Sequence, residues 1–243
     1  MMKNIAVVIG ASSSIATSLI ARLRLDNSVD QIVSISRTAS RGSSANLELE
    51  KHFISDYTES SIAEICAQLH AAEGVISKVI ICNGILHNED IYPEKRMEEI
   101  SANALHEVMH VNAIIPMLWL AKLGPLLKSQ QTCRIALLSA RVGSISDNRS
   151  GGWYAYRASK AALNMLIRTA AIELGRRAPN ATIISFHPGT TDTALSKPFQ
   201  RSVPSSRLFT PDFVADRLLK LMSSLEPDCE ARFYDWNGAL VEW

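Results

Sequence analysis

Short β-branched runs at Ile5–Ile9, Gln31–Ser36, Val79–Cys82, Arg134–Ser139 and Thr182–His187 alternate with helix-like stretches at about 13–23, 58–72, 95–128 and 155–178. Runs such as "KVIIC" and "RIALLS" are apolar without alternation, which suits strands covered on both faces. Strands of that kind separated by helices specify a doubly wound parallel sheet, an α/β fold of three α/β/α layers of the Rossmann type. The chain has 243 residues, 47% of them hydrophobic, enough to bury a large core, and α/β chains of this length commonly form a single domain, here 1–243. "TASRGSSAN" (38–46) reads as a solvated loop. "SKPFQRSVPSSRLF" (196–209) reads as a long loop within the domain, and "TPDFVADRLLKLM" as a helix with Thr210 as N-cap and Pro211 at its first position.

Charge and cysteine usage exclude several classes. A net charge of +1 and the lack of a basic run give no attraction for nucleic acid or an anionic membrane. The longest apolar run, 113–121, is too short to span a bilayer and contains Pro116, and no signal peptide is read at the N-terminus. Cys66, Cys82, Cys133 and Cys229 have no metal or C-x-x-C spacing, so free thiols in a cytoplasmic protein are expected. The six histidines form no metal-like cluster, and no metal is expected.

Four constellations carry chemistry. In "IGASSSIATSLI" (9–20) a strand meets a helix through a turn with one glycine, Gly10, and small residues at Ser14 and Ala16. A phosphate loop needs that tight turn and the free N–H groups of the helix start, but a plain βα turn has the same pattern. At the end of the next strand, where an NAD site carries an acid, the chain has Ser36-Arg37; a guanidinium there pairs with a 2′-phosphate, favouring NADP(H) over NAD(H). In "YAYRASKAALNMLIRTAAIEL", Tyr156 and Lys160 are four apart and share a helix face. An ammonium beside the phenol is expected to lower its pKa. Leu163, Ile167, Ala170, Ala171 and Leu174 form one apolar stripe of this helix, and Ala162, Met165 and Leu166 a second, which implies a homodimer or homotetramer. Pro116 removes the helical partner of the Asn112 carbonyl, predicting a kink and a carbonyl free to hold a water that reaches Lys160.

Gly10 with "ASS" after it, Asp56 in "ISDYTE", "CNGIL" (82–86), Asn112, "LLSARVGS", Tyr156-x-x-x-Lys160 and "HPGTTDT" occur in the order of short-chain dehydrogenases/reductases, and the resemblance runs from Lys3 to about residue 243. "LSARVGSISDNRSGGWYAYRASKAALN" and the ending "FYDWNGALVEW" resemble the C-factor-like branch, near sniffer-type carbonyl reductases. The resemblance implies an NADP(H)-dependent oxidoreductase acting on a small carbonyl or alcohol. Its acid/base would be Tyr156, with Lys160 lowering the phenol pKa and Asn112 anchoring a relay water. Gly10, Ser12, Ser14 and Ile15 would line the cofactor cleft, Arg37 would meet the 2′-phosphate and Asp56 the adenine. Asn83 and Gly84 would pack beside the ribose, and Pro188, Gly189, Thr191 and Thr193 would flank the nicotinamide. Arg141, Trp153, Leu195 and Phe199 would stand near the substrate, with 196–209 as a lid; Lys197, Arg201 and Arg207 in that lid read as solvated charges, the alternative being a preference for an anionic substrate, and His187 reads as a packed residue.

The chain departs from the family at three places. Ile9 replaces a threonine, "ICNG" shifts the match of Asn83 by one residue, and the family's serine, counted from Gly143, falls on Ala140. A one-residue offset in a strand turns a side chain to the other face. Three alternatives follow: a bulge that lets Ser139 serve, replacement by Ser144, or a tyrosine working without that help; Ser139 is adopted. With the serine displaced, the rival to an enzyme is a C-factor-like signalling or regulatory protein that binds the cofactor with weak or no turnover.

Overall fold

The computed structural model describes residues 2–39 and 49–243. Seven parallel strands form one sheet: β1 (Asn4–Ile9), β2 (Gln31–Ser36), β3 (Glu50–Ile54), β4 (Val75–Ile81), β5 (Cys133–Leu138), β6 (Ala181–His187) and β9 (Arg232–Asp235), in the order β3-β2-β1-β4-β5-β6-β9. Two further strands, β7 (Thr190–Thr191) and β8 (Leu208–Phe209), pair beside it. The helices are α1 (Ser14–Leu23), α2 (Glu59–His70), α3 (Ala102–Met109), α4 (Ile115–Leu123), α5 (Tyr154–Arg177) and α6 (Pro211–Ser223). The strand order reverses direction between β1 and β4, the topological switch point where such sheets open a crevice at their carboxyl ends.

The core explains the sheet. Ile5, Val7 and Ile9 of β1 face one apolar layer with α2, α4 and α5, while Ala6 and Val8 face a second layer with α1 and α6. Apolar residues on both faces are what a doubly covered parallel strand requires. In α5 the stripe Leu163, Ile167, Ala171 and Leu174 is buried, whereas Met165, Leu166 and Ile172 are exposed.

Several expectations need correction. The predicted strands are found, β2 with the expected bounds and the other four with at least one end shifted by one to four residues, but β3, β7, β8 and β9 are not predicted. "EKHFI" in β3 hides its strand because Glu50 is buried by pairing with Arg24 and accepting from Ser34 Oγ. The predicted helix 95–128 is broken into a 3-10 turn at Met97–Glu99, α3, a π turn at His110–Ile114, α4 and a 3-10 turn at Gly124–Leu127. The run Ala102–Leu127 is long and apolar enough by composition to cross a membrane, yet it is a core element: Ala113, Ile115, Trp119, Leu120 and Leu123 pack under the sheet. The segment 196–209 is a chain of short elements, with 3-10 turns at Lys197–Ser202 and Ser205–Arg207 followed by β8. The loop expected at 38–46 lies, from residue 40 on, outside the described residues.

Candidate active site

A cavity of about 1070 Å³ opens at the carboxyl ends of the strands. Of the residues expected at a site, Ser12, Ser14, Ile15, Asn83, Gly84, Ser139, Arg141, Trp153, Tyr156, Lys160, Pro188, Gly189, Thr191, Thr193, Leu195 and Phe199 line it. Gly10, Arg37, Asp56 and Asn112 do not.

The β1–α1 turn shows why its one glycine is needed. Gly10 has φ +77°, and a Cβ there would stand 2.9 Å from the backbone N of Asn83 and 3.0 Å from the carbonyl carbon of Cys82. The turn is pinned by Gly10 N–H and Ala11 N–H, both donating to Ile35 O. Ser13 caps α1, its Oγ accepting from Ala16 N–H, and the helix start opens on the cavity between Ser12, Ser14 and Ile15. Ala16 is fully buried, the close packing that its small size permits.

Arg37, exposed at the end of β2, and Asp56, at the end of β3, stand apart from this cavity. The Asp56 carboxylate accepts from Thr58 N–H and Oγ1–H, which holds its pKa below the ordinary value and starts α2.

Tyr156 and Lys160 lie on the first two turns of α5. Lys160 is 3% exposed and its Nζ donates to Leu138 O at 2.9 Å, 5.9 Å from the centre of the Tyr156 ring. Gly143 lets the helix approach the 3-10 turn Arg141–Gly143 that follows β5: a Cβ there would fall 2.6 Å from Lys160 Cβ. The expected lowering of the Tyr156 pKa is not found. Burial pushes the phenol up to about 12, and burial pulls the Lys160 ammonium down to about 8, because neither charged form is solvated at the cavity floor.

Asn112 is held by its side chain. Its side chain, fully buried, accepts from Ile85 N–H (2.7 Å) and donates to Ile85 O (2.9 Å) and to Ser159 Oγ (3.0 Å). The amide thus ties the 83–86 segment to α5. The helix accommodates Pro116 by a π turn in which Ile115 N–H donates to His110 O. A Cβ at Gly84 would lie 3.6 Å from Asn112 Oδ1 and 3.7 Å from Lys160 Nζ, so the three converge on one spot.

The serine alternatives separate geometrically. Ser139 lines the cavity, but its hydroxyl donates to Asn164 Oδ1 at 2.7 Å, alongside Ser185. Ser144 is buried outside the cavity in a turn, where it accepts from Asp147 N–H. Ala140 lines the cavity at the position counted from Gly143 and brings no hydroxyl.

Sequence reasoning missed two braces. Trp153, Gly151 and Gly152 all have positive φ, at +55°, +63° and +64°. Trp153 N–H donates to Glu94 O (2.5 Å), and Ala155 N–H donates to the buried Glu94 carboxylate (3.2 Å). Arg157 holds the other side by donating to Gly151 O and Gly152 O. No sequence pattern announces Glu94, which lies some 60 residues before the helix that it caps. The cavity also contains Arg201, read from sequence as solvated, and His187, whose Nδ1 is buried without a partner and whose imidazole burial pushes down to about 4.

The wall suits an anionic dinucleotide: the N-terminus of α1 opens on the cavity, and among the described residues no carboxylate lines it. Asn83 Oδ1, buried without a partner, is an acceptor and suits a sugar hydroxyl rather than a phosphate. Among the described residues no metal-like cluster occurs.

Comparisons agree with this geometry. The chain is 26% identical over 98% of both chains to 1-hydroxy-2-glutathionyl-2-methyl-3-butene dehydrogenase of Rhodococcus sp. (strain AD45). It is 34% identical to C-signal of Myxococcus xanthus over 55% of this chain and 75% of that one. The fold superposes on carbonyl reductase Sniffer of D. melanogaster with a TM-score of 0.84, 20% identity and full coverage of both chains. Residues 4–203 match the sequence profile of short chain dehydrogenases, and the chain is a member of this oxidoreductase family, whose proteins bind NAD(P).

Proposed function

We propose that the protein reduces a carbonyl compound at the expense of NADPH, with Tyr156 as the proton donor. The observation that carries this reading is the pairing of buried Lys160 with half-buried Tyr156 at the cavity, braced through Asn112 and Ser159, whose hydroxyl donates to Tyr156 O. The phenol keeps its proton at neutral pH at its ordinary value as at the raised one, and so is in the state needed to donate to a carbonyl oxygen. When bound, the nicotinamide supplies the hydride. Ser12, Ser14, Ile15, Asn83 and Gly84 would hold the cofactor on one wall, and Pro188, Gly189, Thr191 and Thr193 on the other. Arg37, exposed at the tip of β2, would meet the 2′-phosphate, which favours NADP(H) over NAD(H), and Asp56 would approach the adenine. With Ala140 in place of a hydroxyl and Ser139 committed to Asn164, Tyr156 alone orients the carbonyl. That loss also supports the rival reading, a C-factor-like cofactor-binding signalling protein with weak turnover. The exposed Met165, Leu166 and Ile172 of α5 support a homodimer or homotetramer, and four unpaired cysteines a reducing cytoplasm.

The test is Tyr156→Phe with NADPH and a panel of aldehydes and ketones. Turnover should fall by about 10²–10⁴-fold while fluorescence titration gives unchanged NADPH binding, tighter than NADH. Undiminished turnover in the variant removes the assignment; binding without turnover in the unmodified protein selects the rival.

A further inference from the structure

The substrate end of the cavity has a distinct chemistry. Leu86, Val142, Trp153, Leu195 and Phe199 make its wall. Phe199, on the 3-10 turn Lys197–Ser202, is wedged among three rings: Trp153 at 5.1 Å, Tyr92 at 5.3 Å and His87 at 5.7 Å between centroids. Trp153 in turn stands edge-on to Tyr156 at 6.1 Å. Trp153 and Phe199 meet edge to face, at 61°, and offer ring faces and edges against which an aryl body can pack beside Tyr156.

The cations of this wall are not equivalent. Arg141 is paired with Asp235 at 3.2 Å, and Lys160 Nζ is committed to Leu138 O. Lys197 pairs with Asp192 at 3.6 Å and does not line the cavity. Arg201 does line it, two residues beyond Phe199 on the same turn, and among the described residues it has no ion pair or hydrogen bond. None of the described residues lining the cavity is acidic. Arg201 is exposed at the rim of this largely apolar pocket, where its guanidinium is a bidentate receptor for a carboxylate or similar anion.

We infer that the substrate is a carbonyl compound with an aryl body and a separate anionic group, the aryl group lying on Trp153 and Phe199 and the anion on Arg201. The inference rests on the reductase reading above. Arg201 could instead meet a phosphate of the cofactor, the same anion chemistry from another source; its place on the turn that carries Phe199 assigns it to the substrate.

Matched probes test this: 4-benzoylbenzoate, an aryl ketone with a remote carboxylate, and its methyl ester. Each is titrated against the NADP⁺-saturated protein, and both are assayed for NADPH-dependent reduction. The acid should bind about 10-fold more tightly than the ester, the scale of one charge-assisted contact, and Arg201→Gln should bring the ratio near one. Lys197→Gln should keep the acid preference. Equal binding of acid and ester, or an Arg201→Gln effect on NADPH affinity with an unchanged acid-to-ester ratio, overturns the inference. Acid-selective binding lost in Arg201→Gln, without reduction of either probe, upholds the aryl and anion contacts and overturns the carbonyl part of the inference together with the reductase reading.

Discussion

Helices α1 and α5 begin at the rim of the same cavity and are held there by opposite means. α1 starts within four residues of its own sequence: Gly10 makes the turn, Ser13 Oγ caps Ala16 N–H, and Ile15 packs inward. α5 has no side-chain cap of its own. Its N-cap is Trp153 in a left-handed conformation, and its first turn relies on Glu94 from a distant loop and on Arg157 reaching back to Gly151 and Gly152. The helix that binds in a generic way is locally encoded. The helix carrying Tyr156 and Lys160 is set by tertiary contacts, which fix Tyr156 relative to β5 and the 83–86 segment.

The largest expected difference is in pH dependence. At α5, burial depresses Lys160 to about 8, from an ordinary value near 10.5. Between these values the unfolded chain binds the proton and the folded chain does not, so this group adds stability as pH rises through the window. The buried thiols Cys66, Cys82 and Cys133 are pushed up to about 11, 12 and 12 and act in the opposite direction above about pH 9. The difference between unmodified protein and Lys160→Met cancels them. Urea unfolding at pH 7.5 and pH 10 should show that difference growing by about 2–3 kcal/mol in favour of the unmodified protein. A flat difference would mean that the ammonium is solvated and that α5 is no more buried at its start than α1.

What was legible follows the same division. The alternation of apolar runs and helices revealed the sheet because each signal sits within one element, and the turn at Gly10 and the cap at Thr210 are likewise local. Tyr156 and Lys160 were legible from their spacing, but their titration was not: the spacing brings the two groups together, whereas burial decides the pKa, and burial depends on β5 and Gly143. β3 was hidden because Glu50 is buried only through Arg24 and Ser34, which lie elsewhere in the sequence. Arg201 is exposed, as its reading as a solvated charge expects; that it also lines the cavity with no acidic neighbour is a property of the wall, which the sequence does not carry.

Glu94 offers a sharper test of the tertiary half of the comparison. It is 3% exposed, one carboxylate oxygen receives Ala155 N–H, and Oε1 is buried without a partner. Glu94→Ala leaves Ala155 N–H unpaired and a space beside Trp153, and should cost about 1–3 kcal/mol by chemical denaturation. The carbonyl-reductase turnover should fall with KM for NADPH unchanged, because the cofactor wall at Ser12–Ser14 is not touched. Glu94→Gln, which keeps an oxygen for Ala155 N–H, should recover most of the turnover.

The smallest effect belongs to the locally encoded start. Ser13→Ala removes the hydroxyl that accepts from Ala16 N–H at 3.3 Å, a loss of about 1 kcal/mol for an N-cap. The turn itself should persist, since Gly10 and Ala11 remain bonded to Ile35 O and Ser13 N–H still donates to Gly10 O. Because Ser13 also lines the cavity, the change should weaken NADPH binding by only a few-fold, with the helix N–H groups still facing the phosphates. Ser13→Ala destabilising the fold more than Glu94→Ala would reverse the comparison: α1, not α5, would then be the helix whose start depends on more than its own sequence.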